Sequence, residues 1–526
     1  MVATANTSAT ICGKPLGLAS AEASTLVGLE AHRIHVEVCC TRGPSFFQMV
    51  GLAEAAVREA RVRVASALAR LGVLIDEYAI TVNLAPADLR KSGAALDLAL
   101  ALATLGAVGE LPEGVLAGTV VLGELALDGT LRPIRGVLPQ LEGARARGIC
   151  SAIIPAGNGA EGGLVEGMDV RVAATLGEVC EHLTGKGRLR AAERTPFVPD
   201  ESSALGDLSE VRGQTTARRA LEIAAAGNHN LLMIGPPGGG KTLLARLLPS
   251  ILPPLHFDEA IETTAIHSVA GLVEPEKGVV SVRPFRAPHH SVSEAGLVGG
   301  GDMPRPGEVS LAHNGMLFLD ELAEFRRGAL EALRQPLEDG RVCIARARAR
   351  AWFPARPLVI GAVNPCPCGY HGHPRRNCRC SPRLRHSYEA RLSGPLLDRL
   401  DVHVSVPPVE VSALTSGTPG EPSSAVRARV IAARAVQRAR RERGETTTVT
   451  NSTLSAAELE HVARLDRDGG RLIEAAIAGL GLSARAFVKV LRVARTIADL
   501  ENSPRVRAPH VAEAIQGRLL DRGRAA

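Results

Sequence analysis

The sequence predicts a multidomain α/β protein, and three observations support this prediction. Two stretches rich in proline, serine and charged residues, at about 189–208 and 411–424, divide the 526 residues into the blocks 1–188, 208–410 and 424–526. Strand and helix patterns are mixed in the first two blocks, whereas the last block has helical patterns throughout. A chain of this length is also typical of three or four domains of about 150 residues each.

Composition excludes several classes of protein. Hydrophobic residues make up 45% and charged residues 22%, which is ordinary for globular domains and excludes disorder along the whole chain. The net charge of +6 is too small to identify a nucleic-acid binder by itself. The sequence lacks a run of about 20 apolar residues and a secretory N-terminus, so we expect a cytoplasmic protein without membrane segments.

The first block contains both strand and helix patterns. Strands are predicted at 34–38, 80–84, 120–125 and 152–155, and helices at 55–72 and 94–105. The segment 34–38 alternates between apolar and polar side chains, as a half-buried strand does, and 94–105 is rich in alanine and leucine, which is typical of a buried helix. These elements together predict an α+β domain.

The strongest motif lies in the second block. An apolar strand at 231–234 and a helical pattern at 243–248 enclose a glycine-rich turn of the form G-x-x-x-x-G-K-T, here called the P-loop. Its residues are Gly235, Pro236, Pro237, Gly238, Gly239, Gly240, Lys241 and Thr242. Backbone N–H groups of such a turn bind a phosphate chain at the start of the following helix. We expect Lys241 to contact the β- and γ-phosphates of ATP and Thr242 to ligate Mg²⁺.

Two further strands are predicted to end beside the P-loop. The apolar run 316–319 is followed by Asp320, expected to hold Mg²⁺, and Glu321, expected to polarise the attacking water. Without the P-loop, the same pattern would indicate a buried strand with a solvated acidic end. The run 358–363 ends at Asn364, whose amide could align that water. Because ligands bind beyond the carboxyl ends of parallel strands, these segments predict one nucleotide site.

Four of the ten cysteines lie close together in the second block. Cys366 and Cys368 form one pair, and Cys378 and Cys380 form the other. Four thiolates in two close pairs can hold a tetrahedral Zn²⁺, and a histidine from between the pairs could replace one of them. The spacing is C-x-C rather than C-x-x-C, so reduced surface thiols or a redox pair are the alternative. We predict a structural zinc loop at 366–380, because free thiols at this density would be prone to oxidation.

The third block is predicted to be helical. Its helices are expected at 425–443, 456–465, 470–480, 484–500 and 508–521. The first of these helices carries seven arginines against one glutamate. Counterion release would favour nucleic-acid binding by such a helix, but a charge run is usually a solvated helix face, and both interpretations stay open.

Longer motifs carry a resemblance to a known family. They are FRAPHH at 285–290, PGEVSLAHNG at 306–315, NPCPCG at 364–369 and SGPLLDR at 393–399. With these motifs, residues 208–404 resemble AAA+ ATPases of the magnesium chelatase type, and the whole chain resembles the YifB/ComM family. The resemblance implies an AAA+ P-loop α/β core followed by a helical C-terminal lid.

The resemblance also implies roles for single residues. Asn364 matches the sensor-1 position, Arg399 the arginine finger and Arg485 the sensor-2 position. An arginine beside the γ-phosphate stabilises transition-state charge. The alternatives are a salt bridge between Arg399 and Asp398 or Asp401, and a solvated helix charge for Arg485. Because an arginine finger acts on a neighbouring subunit, the resemblance implies a homo-oligomeric ring, expected to be a hexamer.

An arginine-rich segment of the second block is a candidate DNA contact. Turn residues at 338–340 precede it and predict a β-hairpin, which in this resemblance corresponds to the pre-sensor-1 hairpin that lines the pore of related ring helicases. Alternation at period two predicts that Arg346, Arg348 and Arg350 share one face and contact phosphates. Trp352 is expected to stack on a base. The alternative is a solvated strand edge, where charge discourages aggregation.

The first block resembles the proteolytic domain of Lon through residues 122–134 and the helix that follows. That domain uses a serine nucleophile and a lysine. The match places Ala95 where the serine belongs and Leu138 where the lysine belongs, so acyl transfer has no nucleophile and no base. Lys91 is close in sequence, but beside another basic residue we expect it to be solvated and protonated. The prediction is a Lon-protease-like domain without catalysis.

The function that this resemblance implies is that of an ATP-driven DNA motor. It would be a ring helicase that promotes branch migration in recombination or natural transformation, with ATP and Mg²⁺ as cofactors and single-stranded or branched DNA as partner. One alternative is a metal-insertion ATPase of the magnesium chelatase type or another AAA+ remodelling chaperone. A Lon-like protease or unfoldase is the other, and the missing serine and lysine oppose the protease.

Overall fold

The structure is a computed structural model in which three parts follow one another along the chain. It describes residues 15–51, 55–91, 93–194, 196–200, 206–346, 349–409, 419–480 and 483–518. Most of the predicted linker at 411–424 therefore lies outside the described residues. Every helix described is too short or too polar to cross a membrane.

The first part is a mixed sheet with helices packed on it. Its strands are β1 (Pro15–Val27), β2 (Glu30–Arg42), β3 (Phe46–Val50), β4 (Tyr78–Ala85), β5 (Thr119–Val121), β6 (Glu124–Leu125), β7 (Leu131–Arg132), β8 (Ser151–Pro155), β9 (Asp169–Ala173) and β10 (Arg190–Ala191). Its helices are α1 (Ala55–Arg70), α2 (Asp97–Val108), α3 (Val137–Ala146), α4 (Gly159–Gly162) and α5 (Leu176–Leu183). Eight strands form one sheet in the order β10-β9-β8-β5-β1-β2-β4-β3, and β6 pairs with β7.

Side-chain alternation gives β2, the sixth of the eight strands in this order, one buried and one partly buried face. Ile34, Val36 and Val38 are buried, and the side chains between them are only partly buried, as a strand with period two requires. Helix α2 packs against β1 and β2, and ten of its twelve side chains are buried. The predicted elements of this part are confirmed, except that 120–125 forms two strands instead of one, β5 and β6, separated at Gly123.

The second part is a parallel α/β sheet with two small hairpins. Its strands are β11 (Leu231–Ile234), β12 (Phe285–Arg286), β13 (Gly299–Gly300), β14 (Arg305–Pro306), β15 (Met316–Leu319), β16 (Arg341–Arg346), β17 (Ala349–Pro354), β18 (Leu358–Val363) and β19 (Val402–Ser405). Its helices are α6 (Thr215–Gly227), α7 (Lys241–Leu247), α8 (Phe257–Ala270), α9 (Glu294–Val298), α10 (Glu308–Leu311), α11 (Arg327–Ala332), α12 (Arg334–Asp339), α13 (Pro382–Glu389) and α14 (Gly394–Leu397). The main sheet has the order β12-β15-β18-β11-β19.

All neighbours in this five-stranded sheet are parallel. Helices and loops cover both faces of the sheet, so all six residues of β18 are buried. The sequence of this strand is accordingly an unbroken apolar run. Strands β11, β15 and β18 are adjacent and point the same way. The P-loop, the acids 320–321 and Asn364 therefore lie at one edge of the sheet, as the sequence predicted.

The third part consists of helices packed on the second. They are α15 (Ser423–Glu442), α16 (Ala456–Val462), α17 (Arg467–Leu480), α18 (Ala484–Leu500) and α19 (Ala508–Gln516). All five predicted helices are confirmed; α16 ends three residues early, and the final predicted residues lie outside the described chain. Leu231 and Ile360 of the sheet share one apolar core with Val490 and Ile497 of α18. The helices of the third part and the sheet thus have a common core.

A buried carboxylate joins the first part to the second. Glu161, in α4, accepts a hydrogen bond from the amide of Leu138 at 2.7 Å and another from the hydroxyl of Ser268 in α8. Desolvation raises the pKa of Glu161, although these hydrogen bonds favour its charged form. The two parts are therefore held by polar contacts in a buried setting, where each unmade hydrogen bond is costly.

The turn between β1 and β2 forms a second contact between the same two parts. Gly28 has a φ angle of 68°, and a Cβ added there would lie 2.8 Å from the Cβ of Ala351 in β17. Val27 and Leu29, on either side, pack against an apolar core of the second part. The tip of the long β1–β2 hairpin therefore supports the hairpin β16–β17.

Candidate functional site

The P-loop curves between β11 and α7 at the carboxyl edge of the sheet. Gly238 and Gly240 have φ angles of 78° and 88°, in the left-handed region that glycine adopts without strain. Helix α7 begins at Lys241, so the positive end of its dipole lies at the turn. The turn has the geometry of a phosphate-binding loop.

The structure brings together the two residues predicted to hold Mg²⁺. The hydroxyl Oγ1 of Thr242 donates a hydrogen bond to Oδ2 of Asp320 at 2.8 Å, which joins the start of α7 to the end of β15. A hydroxyl and a carboxylate at this separation can contact one Mg²⁺ ion, directly or through water. These two oxygen ligands therefore fit the Mg²⁺ ion that accompanies a nucleoside triphosphate.

Lys241 lies across the P-loop and reaches Asn364. Its ammonium donates to the carbonyl oxygens of Gly235 and the next residue at 2.6 and 3.0 Å, and to Oδ1 of Asn364 at 3.1 Å. Burial lowers the pKa of Lys241, while the carboxylates of Asp320 and Glu321 act in the opposite direction. The ammonium and the predicted sensor amide are thus in contact at the place where a phosphate chain would bind.

Glu321 is exposed at the same edge and has a neighbour that the sequence analysis did not assign. Its backbone amide donates to Oδ1 of Asp320 at 2.9 Å. Its carboxylate oxygen Oε2 lies 3.3 Å from Nδ1 of His290. The ring of His290 lies edge-on to Phe325, with centroids 6.5 Å apart. The FRAPHH motif was the available signal for this histidine, but spacing alone gave no role for it.

Arg399 is bound within its own chain. Its guanidinium pairs with Glu338 of α12 and donates to two backbone carbonyl oxygens at 2.7 and 3.3 Å. The alternative of a salt bridge with Asp398 or Asp401 is wrong, because the acid that binds Arg399 is Glu338. To act on the nucleotide of a neighbouring subunit, Arg399 must exchange this carboxylate for a phosphate.

Arg485 lies in the first turn of α18 and is exposed. Ser483 caps this helix by accepting a hydrogen bond from the amide of Ala486 at 3.2 Å. No hydrogen bond or ion pair connects Arg485 to the rest of the described chain. A cation in the first turn opposes the helix dipole at a cost of about 0.3–1 kcal/mol. Helix stability therefore does not explain this arginine.

A buried polar chain, which the sequence did not indicate, connects α18 to the segment that bears Arg399. Nζ of Lys489 lies 2.9 Å from Oδ1 of Asp401. The other oxygen of Asp401 accepts a hydrogen bond from the amide of Asn230 at 3.0 Å and lies 3.8 Å from Nδ1 of His229. Burial would raise the pKa of Asp401, but Lys489 and His229 outweigh it and hold that pKa well below the ordinary range.

Four thiols converge in the cysteine loop, residues 366–380, between β18 and α13. The Sγ atoms of Cys366, Cys368, Cys378 and Cys380 all lie within 4.8 Å of one another. Three of the separations are 3.4, 3.6 and 3.6 Å. A tetrahedral zinc with Zn–S bonds of about 2.3 Å places its sulfurs about 3.8 Å apart. The cluster is therefore compatible with a structural zinc ion.

The thiols of this cluster differ in acidity. The backbone amides of Tyr370 and Arg379 donate to Cys368 and lower its pKa to about 6. The amide of Cys368 favours the thiolate of Cys380 in the same way, but desolvation and the neighbouring sulfurs raise the pKa of Cys380 to about 12. Without a cation, the raised pKa of Cys380 opposes complete ionisation of the cluster. A divalent cation removes this obstacle.

Strands β16 and β17 form the predicted hairpin, here called the arginine hairpin, and its two described candidate arginines lie on opposite faces. Arg346 is opposite Ala349, and Arg350 is opposite Ala345. Cross-strand partners share a face, and neighbours along a strand alternate. The prediction of one shared arginine face is therefore wrong, because alternation does not continue through a turn. Arg348 lies outside the described residues.

The outer face of the arginine hairpin combines an indole with two guanidinium groups. Trp352 is 37% exposed. The guanidinium carbons of Arg341 and Arg350 lie 4.3 and 5.1 Å from its ring centroid, within the range of cation–π contacts. Arg341 was missed by the sequence analysis because it precedes the alternating run and reaches this face only when the hairpin closes.

The arginine-rich helix α15 is mainly bound within the chain. Arg429 pairs with Glu222 of α6 at 2.5 Å, and Arg440 pairs with the buried Asp499. Arg434 donates to a backbone carbonyl of α6 at 2.9 Å. Neither of the two interpretations from the sequence describes this helix well: Arg429 and Arg434 attach it to α6 of the second part, and Arg440 binds Asp499 of α18 within the third part.

The residues matched to protease chemistry lie in the first part. Leu138 is fully buried in α3, and Ala95 precedes α2; neither carries a nucleophile or a base. Lys91 also has no exposed surface, and its ammonium donates to the carbonyl oxygen of Pro86. Burial lowers the pKa of Lys91. The expectation that Lys91 is solvated is therefore wrong, because a basic neighbour in the sequence does not indicate whether a side chain is buried.

The strand order of the second part, the P-loop after β11 and the acids after β15 together define a P-loop ATPase domain of the AAA+ class. Comparisons with known proteins agree with this class. Residues 207–414 match the family described as magnesium chelatase, subunit ChlI. Residues 36–158 match subunit ChlI of Mg-chelatase, and residues 420–518 match the ChlI C-terminal family.

Several similar proteins match along nearly the whole chain. The protein named YifB of Salmonella typhimurium is 43% identical over 511 residues, which cover 96% of this chain and 98% of that protein. The competence protein ComM of Haemophilus influenzae is 42% identical over 515 residues, with the same coverage. The chain therefore belongs to the YifB/ComM family of magnesium chelatase-like AAA+ ATPases.

Two further similarities are partial. Lon protease 2 of Bacillus subtilis is 30% identical over 152 residues, which cover 26% of each chain. The probable DNA helicase MCM9 of Arabidopsis thaliana is 26% identical over 177 residues, which cover 34% of this chain and 22% of that protein. The likeness to Lon is therefore limited to one segment of the chain.

Proposed function

We propose that this protein is an ATP-hydrolysing ring motor that acts on DNA, as a helicase that promotes branch migration in recombination or natural transformation. The proposed action on DNA rests on the outer face of the arginine hairpin, where Trp352 lies between two arginines and is open to solvent. Guanidinium groups bind phosphates, and an exposed indole stacks on bases of a single strand. The name competence protein, carried by a full-length relative, supports the same function.

In this proposal the P-loop binds the triphosphate of ATP, and Thr242 and Asp320 hold the accompanying Mg²⁺, which neutralises charge on the phosphates. Glu321 accepts a proton from the attacking water as the general base. Asn364, already in contact with Lys241, orients that water toward the γ-phosphate. The geometry supports these roles because all of these groups meet at one edge of the sheet.

A neighbouring subunit completes the proposed site. Arg399 would leave Glu338 and bind the γ-phosphate of the adjoining chain, and Arg485 would contact the nucleotide from the lid of its own chain. The exposed first turn of α18 supports the second role, because the arginine there lacks an internal partner among the described residues. The assembly expected from an arginine that acts between subunits is a homo-oligomeric ring, proposed to be a hexamer.

The cysteine loop is proposed to hold one structural Zn²⁺ through Cys366, Cys368, Cys378 and Cys380. The near-tetrahedral spacing of the sulfurs supports this assignment. The two histidines of the loop are not needed as ligands, since each already bonds to arginine groups of the loop or α13.

The decisive experiment is ATP turnover measured with and without forked DNA. Turnover should rise when forked or single-stranded DNA is added, and the double variant Arg341→Ala/Arg350→Ala should lose that stimulation. Arg471→Ala is the matched control, because Arg471 is an exposed arginine of α17 with a 63% exposed side chain and lies away from the hairpin in sequence. A rate that is the same with and without DNA would refute the DNA motor and leave the ATPase.

A second candidate is a metal-insertion ATPase, and the match of residues 207–414 and 420–518 to magnesium chelatase subunit ChlI favours it. This function predicts that a porphyrin-chelatase partner stimulates turnover and that DNA does not. The same assay therefore separates the two candidates when the partner replaces DNA.

A further inference from the structure

The geometry points to the cysteine loop as a metal-dependent clamp on the P-loop: metal binding by its four cysteines holds the turn 366–369 against Pro237 and keeps Asn364 beside Lys241. This inference rests on the proposed ATPase function and zinc site. It adds that the bound metal controls the affinity for the nucleotide.

The first contact lies in the turn that carries two of the four thiols. The amide of Gly369 donates to the carbonyl oxygen of Cys366 at 2.9 Å, which closes a four-residue turn with Cys368 inside it. Gly369 has a φ angle of 80°, and a Cβ added there would overlap the ring of Pro237. The turn that supplies two ligands therefore lies directly against the P-loop.

The second contact lies just before this turn. Asn364, two residues before Cys366, accepts a hydrogen bond from Lys241 at 3.1 Å. Its backbone also hydrogen-bonds to Tyr388 of α13, which follows the cysteine loop and is buried. The segment between β18 and α13 is thus tied to the nucleotide site through the P-loop lysine and through Pro237.

The described contacts of the loop explain why a metal would decide whether this arrangement is rigid. Between Cys366 and Cys380 the chain forms no helix or strand, although every residue of it is described. Its side chains are largely polar, so four metal–sulfur bonds would replace the apolar core that such a segment lacks. Without the metal, the turn is free to leave Pro237 and Asn364 loses its fixed position. A hydrogen bond to a charged phosphate that is lost in this way corresponds to about tenfold or more in nucleotide affinity.

The test measures zinc content and nucleotide affinity in the same full-length proteins. Zinc per chain is determined by elemental analysis, and the Kd of a fluorescent ATP analogue by titration. Cys378→Ser/Cys380→Ser removes the ligand pair that does not touch the P-loop. We expect about one zinc per chain in the wild type, and in this variant loss of zinc with nucleotide binding weakened by about tenfold or more. Cys150→Ser, at an exposed cysteine of the first part, is the control and should leave both measurements unchanged.

Gly369→Ala separates the clamp from the metal. It keeps all four ligands but pushes the turn away from Pro237, so we expect zinc to stay and nucleotide affinity to fall. If Cys378→Ser/Cys380→Ser does not fold, as judged by circular dichroism, the wild type is treated with a chelator and zinc is then restored. Nucleotide affinity should fall and recover with the metal.

Each failure has a separate meaning. Wild-type affinity in folded, zinc-free protein would refute the clamp and leave the zinc site. Wild-type protein that neither contains zinc nor shows thiolate charge-transfer absorption with Cd²⁺ would refute the metal site and therefore the clamp. Zinc-loaded wild type that does not bind the ATP analogue would refute the proposed ATPase function itself.

Discussion

Asp401→Asn tests the buried ion pair that joins α18 of the third part to the second part. Asp401 and Lys489 lie 2.9 Å apart with side chains only 8% and 11% exposed. The substitution keeps the shape of the side chain and removes its charge, so Lys489 is left as a buried cation without a counter-ion. Removing one partner of a buried pair typically costs about 3–5 kcal/mol. For a domain of about 200 residues, this corresponds to a fall of roughly 6–20 °C in Tm.

Thermal unfolding by circular dichroism measures this effect, and a double-mutant cycle assigns it to the pair. Lys489→Met alone leaves Asp401 unpaired and should also destabilise the protein. The double variant has no unpaired charge, so it should lose much less stability than the two single losses added together. The expected result is a loss of stability in the double variant that is measurably smaller than the sum of the losses in the two single variants.

The pH dependence follows from the lowered pKa of Asp401. Its folded pKa lies below the ordinary value of about 3.9, so its stabilising contribution is complete above that value and is lost as the pH falls through the folded pKa. The difference in stability between wild type and Asp401→Asn should therefore be constant near neutral pH and shrink below about pH 4. A Tm shift under 2 °C, or single effects that simply add, would show that the pair does not stabilise the contact between the third part and the second; about 2 °C is the smallest shift expected from 1 kcal/mol.

Three further predictions concern separate sites. Glu321→Gln should keep nucleotide binding and slow ATP hydrolysis by about a hundredfold or more, because an amide cannot accept the proton of water; a wild-type rate in phosphate release would contradict the assignment. Arg341→Ala/Arg350→Ala should lower DNA affinity and reduce the slope of log K against log salt by about 0.7–0.9 for each lost phosphate contact, and an unchanged salt titration would exclude the outer face of the hairpin. Wild-type stability should rise with pH above the lowered pKa of Lys91 toward about 10.4, because unfolding takes up a proton; in thermal melts Lys91→Met should show a smaller rise than the wild type, and a parallel rise in the variant would contradict it.

The nucleotide site could be predicted from sequence because each of its parts is local. The P-loop lies in one turn, and Asp320, Glu321 and Asn364 directly follow apolar strands. Parallel strands then place these separate turns at one edge, whatever the rest of the chain does. The cysteine cluster was equally accessible, because its four thiols lie within fifteen residues of sequence.

Contacts between distant residues could not be predicted in the same way. The partner of Arg399 is Glu338, far back along the chain, whereas sequence reasoning considered only its aspartate neighbours. Lys91 was expected to be solvated because its neighbour Arg90 is basic, yet tertiary packing buries it. Arg346 and Arg350 lie on opposite faces of the hairpin, because side chains alternate regularly within a strand but not through the turn.

The strand β1 was also missing from the sequence prediction. Its thirteen residues, PLGLASAEASTLV, are mostly small and include few β-branched side chains, so propensity gave little signal. Pairing with β2 along nearly its whole length, and helix α2 packed against it, determine the strand instead. Small side chains suit such close packing but leave no clear pattern in the sequence.

The position of the β1–β2 hairpin tip limits where this chain can be truncated. Val27 and Leu29 fill part of an apolar core that otherwise belongs to the ATPase domain. A fragment that starts at Gly206 would open that core to water at the foot of the arginine hairpin, and exposed apolar surface of this kind promotes self-association. Recombinant work on the motor alone therefore has to retain the N-terminal residues or replace the uncovered side chains with polar ones.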